Sequence, residues 1–245
     1  MVEDAAALEE FLDGFTAVEG AKVLVHGGGR EATRIAARLG IETRMAEGRR
    51  ITDAPMLEVV TMVYAGKVNK AIVAGLQKRG CKAIGLSGAD MNSMISRKRP
   101  VGEIDYGYVG DIQSVDAEAI AMLIDAGIIP VMVPITSDGC GQLLNTNADS
   151  VASAVARALA AKYEVTLVSC FEKKGVLQDP DDDDSVISSI NKESYARLKA
   201  DGTVSGGMLP KLQNAFEALE AGVSKVLVTK ADQLGNENAG TTITI

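Results

Sequence analysis

Three consecutive glycines close a short apolar run in Val25-His26-Gly27-Gly28-Gly29-Arg30, and a helix-forming segment follows at once. Glycines there let the backbone bend sharply and come close to a ligand. The unpaired N–H groups at the start of the next helix favour an anion, so phosphate binding is the natural chemistry. A ligand-free strand-to-helix turn would use the same residues. Read as G-x-G-x-x-A, Gly27, Gly29 and Ala32 also give a weak dinucleotide fingerprint, with Glu47 near the expected acidic position. No G-x-x-x-x-G-K-[ST] occurs, so a nucleotide-using enzyme here is not of the P-loop kind.

Two more clusters open helices. Leu144-Asn145-Thr146-Asn147-Ala148-Asp149 holds two amides and a carboxylate, more than one helix cap requires. The amides suit a substrate carboxylate, and Asp149 suits the orienting of lysines. Ser205-Gly206-Gly207-Met208-Leu209-Pro210-Lys211 turns on glycines into a helix with a lysine in its first turn. A cation there works against the helix dipole unless a phosphate lies between; a solvated surface lysine is the plain alternative. Arg49-Arg50, after Gly48, offers a guanidinium fork for a carboxylate. His26, the only histidine, reads as a turn residue rather than a base. Counted from Asp179 as a calcium loop, Asp184 stands where glycine is required and Ile190 where glutamate is, so the run Asp181–Asp184 reads as a solvated loop and no metal site is expected.

The elements that must position these clusters alternate between strand and helix. Helices are expected over 5–15, 31–39, 52–63, 67–79, 116–126, 148–162, 192–200 and 211–221, with a break near Gly66. Strands are expected over 22–25, 82–86, 128–134, 164–169, 225–229 and 241–245, with hairpins within 42–50 and 95–112. The pattern predicts an α/β fold with an open, mainly parallel sheet sandwiched by helices, and ligands at the carboxyl ends of its strands. Of the 245 residues 47% are apolar, enough for a core, and the net charge of −8 argues against a nucleic-acid surface. Three widely spaced cysteines suggest neither disulfides nor zinc and fit a reducing cytoplasm. No apolar run approaches the roughly 18 residues of a membrane span, and the acidic N-terminus is unlike a signal peptide.

In their order and spacing, Val25–Gly29, Gly48-Arg49-Arg50-Ile51-Thr52, Ala65-Gly66-Lys67-Val68-Asn69-Lys70, Gly85–Asp90, Gly110-Asp111-Ile112, Leu144–Asp149 and Gly206–Lys211 resemble the amino-acid kinase family, in the branch that phosphorylates N-acylated glutamate. The resemblance implies two lobes, residues 1–160 for the acyl amino acid and dimerisation and residues 161–245 for ATP. It implies transfer of the ATP γ-phosphoryl group to the γ-carboxylate of N-acetyl-L-glutamate, in arginine biosynthesis, with ATP and Mg2+. N-Succinylglutamate is the alternative substrate. Carried over by motif, Gly28 and Gly29 would meet the reacting end and the transferred phosphoryl. Arg50 and Asn145 would hold the α-carboxylate, with Asn147 close by. Asp149 would organise catalytic lysines, and Lys211 would neutralise the phosphoryl in flight. Cys170, Phe171, Gly175, Val204, Ser205 and Gly206 would line the nucleotide. The partners implied are these small molecules and a second copy of the chain, with no nucleic acid and no membrane. A glutamate side chain, with a pKa of about 4.3, is already an anion at neutral pH and needs no base.

Two departures stand out. The family's nucleotide strand continues Ser-Asp-Val-x-Gly-Val; here it reads Ser169-Cys170-Phe171-Glu172-Lys173-Lys174-Gly175-Val176, longer and without that aspartate. The family also opens with a strand ending in Lys-x-Gly-Gly, which supplies a second catalytic lysine, whereas this chain begins Met1-Val2-Glu3-Asp4, just past that point, as a truncated product would. A catalytically dead ligand-binding protein would also lack that lysine, but intact Asp149 and Lys211 oppose it. A dinucleotide oxidoreductase leaves Asn145, Asn147 and Lys211 unexplained. The added N-terminal helix of arginine-inhibited hexamers is not seen, so a homodimer without arginine feedback is expected. The chain should turn over far more slowly than a version carrying the opening strand; steady-state assay of both checks this, and an ordinary kinase rate of about 1–100 s⁻¹ for the shorter chain would refute it.

Overall fold

The structure is a computed structural model that describes residues 4–206, 208–236 and 238–245. Met1–Glu3, and Gly207 of the turn before Lys211, lie outside them. The chain divides into two units, Met1–Leu12 with Glu19–Val151, and Asp13–Val18 with Ala152–Ile245.

In the first unit Asp4 starts α1 (Ala5–Ala17) by accepting from Ala6 N at 2.9 Å and Ala7 N at 3.0 Å. The glycine turn joins β1 (Leu24–Val25) to α2 (Gly29–Arg38). β2 (Met45–Ala46) and β3 (Arg49–Arg50) pair antiparallel about Glu47 and Gly48, whose φ angles of 49° and 73° suit the twist of a two-residue hairpin. Asp53 accepts from Met56 N at 3.0 Å and starts α3 (Ala54–Thr61). The expected break near Gly66 does not occur. A π-helical turn, Met62–Val68, carries the helix on into α4 (Asn69–Lys78). By length and composition this 25-residue run, Ala54–Lys78, could cross a membrane. Its Val59, Val60, Val63, Val68, Ile72 and Leu76 are all buried, which makes it a core helix of this unit.

β4 (Ala83–Leu86), β5 (Met94–Lys98) and β6 (Gly110–Val115) follow, then α5 (Ala117–Asp125), which Asp116 caps through Ala119 N at 3.0 Å. β7 (Ile129–Met132), β8 (Ile135–Ser137), β9 (Leu143–Asn145) and the start of α6 (Ala148–Leu159) complete the unit. β1, β7 and β4 form a parallel sheet whose central strand, β7, is buried at every residue. A second sheet, in the order β6-β5-β8-β9, has a parallel centre and antiparallel outer pairs. β8 and β9 are too short to show a period in the sequence.

In the second unit β10 (Thr166–Phe171) is followed by β11 (Ser189–Ile190), α7 (Lys192–Ala200), α8 (Met208–Glu220), β12 (Lys225–Lys230) and β13 (Thr241–Ile243). The sheet runs β10-β12-β13-β11, with β10 and β12 parallel along their whole length. Its core gathers Ile190, Leu212, Phe216, Val226, Val228 and Ile243. Helix α8 begins three residues before the expected Lys211, which places that lysine inside its first turn.

The strand end that carries the glycine turn is locked from β7 and α4. His26 N donates to Met132 O at 3.2 Å. The His26 ring is buried, with Nδ1 at 2.7 Å from Gly27 O and Nε2 at 3.2 Å from Asn69 Nδ2. Asn69 Nδ2 also donates to Val131 O at 2.9 Å. Both amide hydrogens are thus used, and the neutral ring carries its proton on Nδ1. A Cβ at Gly85 would stand 1.6 Å from Asn69 Oδ1, so β4 has glycine where Asn69 crosses it.

Burial lowers the pKa of His26 from 6.5 to about 4. Between those values the unfolded chain takes up a proton that the folded chain refuses, so stability falls as pH drops through the window. The expected loss from pH 7 to 4.5 is roughly 2–3 kcal/mol. Urea unfolding across this range should show it in the parent, and His26→Gln should remove that component.

Candidate active site

The glycine turn is kept clear of side chains by its packing. A Cβ at Gly28 would stand 3.0 Å from Tyr64 Cδ1 and 3.4 Å from Val68 Cγ2. The Gly28 backbone, φ 157° and ψ 21°, is one that glycine alone adopts readily. At Gly27 a Cβ would meet Ala148 Cβ at 3.9 Å. The turn therefore touches the first residue of α6 while Gly29 opens α2. The N-termini of two helices, with their positive dipole ends, meet at the glycine turn. Such a place receives negative charge.

Arg50 reaches the turn from β3. Its side chain is buried, and Nη2 donates to Gly29 O at 2.8 Å and to Thr33 Oγ1 at 2.9 Å. Nη1 donates to Thr43 Oγ1 at 3.2 Å. None of these partners is a carboxylate. A buried cation without a counter-ion is costly, and an anionic ligand beside the glycine turn would remove that cost.

Thr52 connects Arg50 with Asn145. Its Oγ1 donates to Arg50 O at 3.0 Å and accepts from Asn145 Nδ2 at 2.9 Å. The Thr52 backbone pairs with Tyr106 O at 2.9 Å and with Tyr108 N at 2.7 Å. Gly107 makes this approach possible: its φ is 70°, and a Cβ there would lie 2.2 Å from Thr52 O. Asn147 has a different contact, its Oδ1 accepting from Ser150 N at 3.1 Å at the start of α6. Asp149 lies in the first turn of that helix. In the first turn of α2, Glu31 is buried between Arg34, at 2.6 Å, and Lys67, and these two cations hold its carboxyl down at about 2.

In the second unit Cys170 and Phe171 end β10. Burial pushes the Cys170 thiol up to about 11, opposed by the positive charge of Lys211 nearby. Ser205 and Gly206 lead into α8: Met208 N donates to Ser205 O and Leu209 N to Gly206 O, each at 3.2 Å. Gly175 and Val204 sit in packing. A Cβ at Gly175 would lie 2.7 Å from Val186 Cγ1 and 2.8 Å from Thr241 Oγ1, and Val204 is in the core. The lengthened end of this strand turns its lysines onto the acidic loop, with Lys173 on Asp183 at 2.7 Å and Lys174 on Asp184. Among the described residues no three of His, Cys, Asp and Glu converge to hold a metal.

Sequence reasoning brought forward Gly28, Gly29, Arg50 and Asn145, and the structure gathers these four in the first unit. It overlooked Thr33, Tyr64 and Gly107, and named Thr52 only as the last residue of the Gly48–Thr52 motif. Their roles depend on partners far away in the chain. The one local signal was Gly107, a glycine between two tyrosines in a polar stretch.

The description "Amino acid kinase family" matches residues 1–230. The chain is 58% identical over 243 residues to the acetylglutamate kinase of Bacteroides thetaiotaomicron, covering 99% of this chain and 94% of that one. It is 42% identical over 216 residues to the acetylglutamate kinase of Methanopyrus kandleri, covering 86% and 87%. The N-acetylglutamate synthase of Neisseria gonorrhoeae, solved with coenzyme A and N-acetyl-glutamate, shares the fold with a TM-score of 0.84 at 23% identity, over 99% of this chain and 57% of that one.

Because Thr52 Oγ1 links the Asn145 amide to the Arg50 backbone carbonyl, Thr52→Val should leave the buried Asn145 amide unpaired. The expected cost is about 1–3 kcal/mol of stability by chemical denaturation, with the shape of the site otherwise kept.

Proposed function

This chain belongs to the amino acid kinase family, and we infer that it moves the γ-phosphoryl group of ATP onto the γ-carboxylate of N-acetyl-L-glutamate. Identity of 58% to an enzyme named for that reaction supports the reading. The observation that carries it is the buried Arg50 guanidinium at the glycine turn, which faces no carboxylate among the described residues, while the Arg50 backbone carbonyl is joined through Thr52 to Asn145.

The nucleophile is an anion at neutral pH, so the reaction asks for positioning and positive charge rather than a base. One oxygen of the γ-carboxylate forms a bond to the γ-phosphorus as the bond to the β–γ bridging oxygen breaks, and ADP leaves with the electron pair. Arg50 and Asn145 hold the α-carboxylate, with Asn147 beside them. The Gly28 and Gly29 backbone and the N-terminus of α2 receive the reacting end and the phosphoryl oxygens. Lys211 neutralises the charge spread over the phosphoryl group in flight, and Asp149 takes the part, carried over from the family resemblance, of organising catalytic lysines. Cys170, Phe171, Gly175, Val204, Ser205 and Gly206 form the nucleotide site of the second unit. Mg2+ supplies further positive charge on the phosphates; it binds largely through phosphate and water oxygens and needs no cage of protein carboxylates. The acetyl group blocks the amine that would otherwise attack the acyl phosphate. A place in arginine biosynthesis, in the cytoplasm and as a homodimer belongs to the same reading, carried over from the family resemblance.

Trapping with hydroxylamine tests the reaction, because an acyl phosphate gives a coloured hydroxamate. The chain with N-acetylglutamate and MgATP should form it slowly, and a version carrying the opening strand should form it faster; no hydroxamate from either folded protein would end the reading. Lys211→Met should lower kcat by about 100- to 1,000-fold, since it removes charge needed mainly in the transition state, and leave KM for N-acetylglutamate within about threefold.

A further inference from the structure

In an α-helix, residues five apart sit about 140° from each other around the axis. In a π-helix the i to i+5 bond brings them onto one side. Tyr64 and Asn69 are five apart, and the π-helical turn Met62–Val68 lies between them. Both consequently face the glycine turn: Asn69 bonds His26, while the Tyr64 ring lies 3.0 Å from where a Gly28 Cβ would be. Tyr64 is itself buried, at 5% exposure. Burial raises its pKa, and the Arg50 guanidinium beside its hydroxyl pulls the other way. Its ring thus supports one peptide of the turn, and its hydroxyl lies on the side of the arginine that holds the next one through Gly29 O at 2.8 Å.

We propose that Tyr64 is a positioning residue of the acyl-amino-acid site: its ring sets the height of Gly28, and its hydroxyl fixes the direction of the Arg50 guanidinium. The π-helical turn then serves substrate binding, because a regular α-helix would turn either Tyr64 or Asn69 away. This rests on the reading that Arg50 holds the substrate carboxylate.

Steady-state kinetics of Tyr64→Phe, Tyr64→Leu and Arg50→Ala test it. Tyr64→Phe keeps the ring and should raise KM for N-acetylglutamate about five- to tenfold, with kcat within about twofold and with KM for ATP and Tm unchanged. Tyr64→Leu, which also loosens Gly28, should lower kcat by about tenfold more. Arg50→Ala should raise KM for N-acetylglutamate by roughly 100-fold or more. If Arg50→Ala does so and Tyr64→Phe leaves KM within about twofold, the positioning role is wrong and the carboxylate reading stands. Equal shifts in both KM values on Tyr64→Phe would mark a merely structural residue and overturn the proposal. An unchanged KM in Arg50→Ala would remove the carboxylate reading and this proposal with it.

Discussion

Backbone N–H groups can hold an anion only where no side chain stands between, and only if the bare backbone does not drift. The turn His26–Gly29 meets both demands. His26 is fixed by Met132 O and Asn69, Gly27 lies against α6, Gly28 rests over Tyr64, and Arg50 grips Gly29 O. Four successive residues are each held by a different element. The glycines are permissive in principle and restrained in fact, so the ordering cost is met on folding rather than when a ligand arrives. The central place of β7, the length of the helix through Ala54–Lys78 and the short hairpin carrying Arg50 all serve this turn.

Net charge says little about such a site. The chain carries −8, yet what counts is which cations are matched. Glu31 is paired twice, with Arg34 and Lys67, and Lys173 and Lys174 are bound to the acidic loop. These pairs are internally complete, and the two on the loop are exposed enough to contribute little. Arg50 differs in kind: it is buried, and its partners are hydroxyls, a carbonyl and the Met56 sulfur. A buried charge left in that state is retained at a cost, which a bound anion would offset.

Much of this was legible beforehand wherever the cause is local. Asp53, Asp116 and Asn191 start helices through their own side chains, and Glu47-Gly48 makes its hairpin from backbone preference. The glycine turn, Arg50 and Asn145 stand out by type and spacing. Gly66 misled because glycine commonly ends a helix, whereas here it lies inside a π-helical turn whose phase is set by contacts with His26 and Gly28. Tyr64 carries no local signal, and Thr52 stands out only as the end of the Gly48–Thr52 motif. Their meaning comes from Asn145 and from Gly28 and Arg50, which only the fold brings to them.

The choice of arginine at position 50 follows from the same burial that silences His26. Removing water disfavours the charged form of any side chain. For the imidazole at the turn this is decisive: His26 stays neutral down to about 4 and has both ring nitrogens engaged. A lone ammonium so enclosed would also tend to give up its proton. A guanidinium does not, since its charge is delocalised and its deprotonation lies far beyond physiological pH. It therefore stays buried and charged beside the glycine turn. Its flat fork meets hydroxyl and carbonyl oxygens. A permanent cation and fixed backbone dipoles suit a nucleophile that is already an anion, and the one titratable group at the turn is given over to architecture.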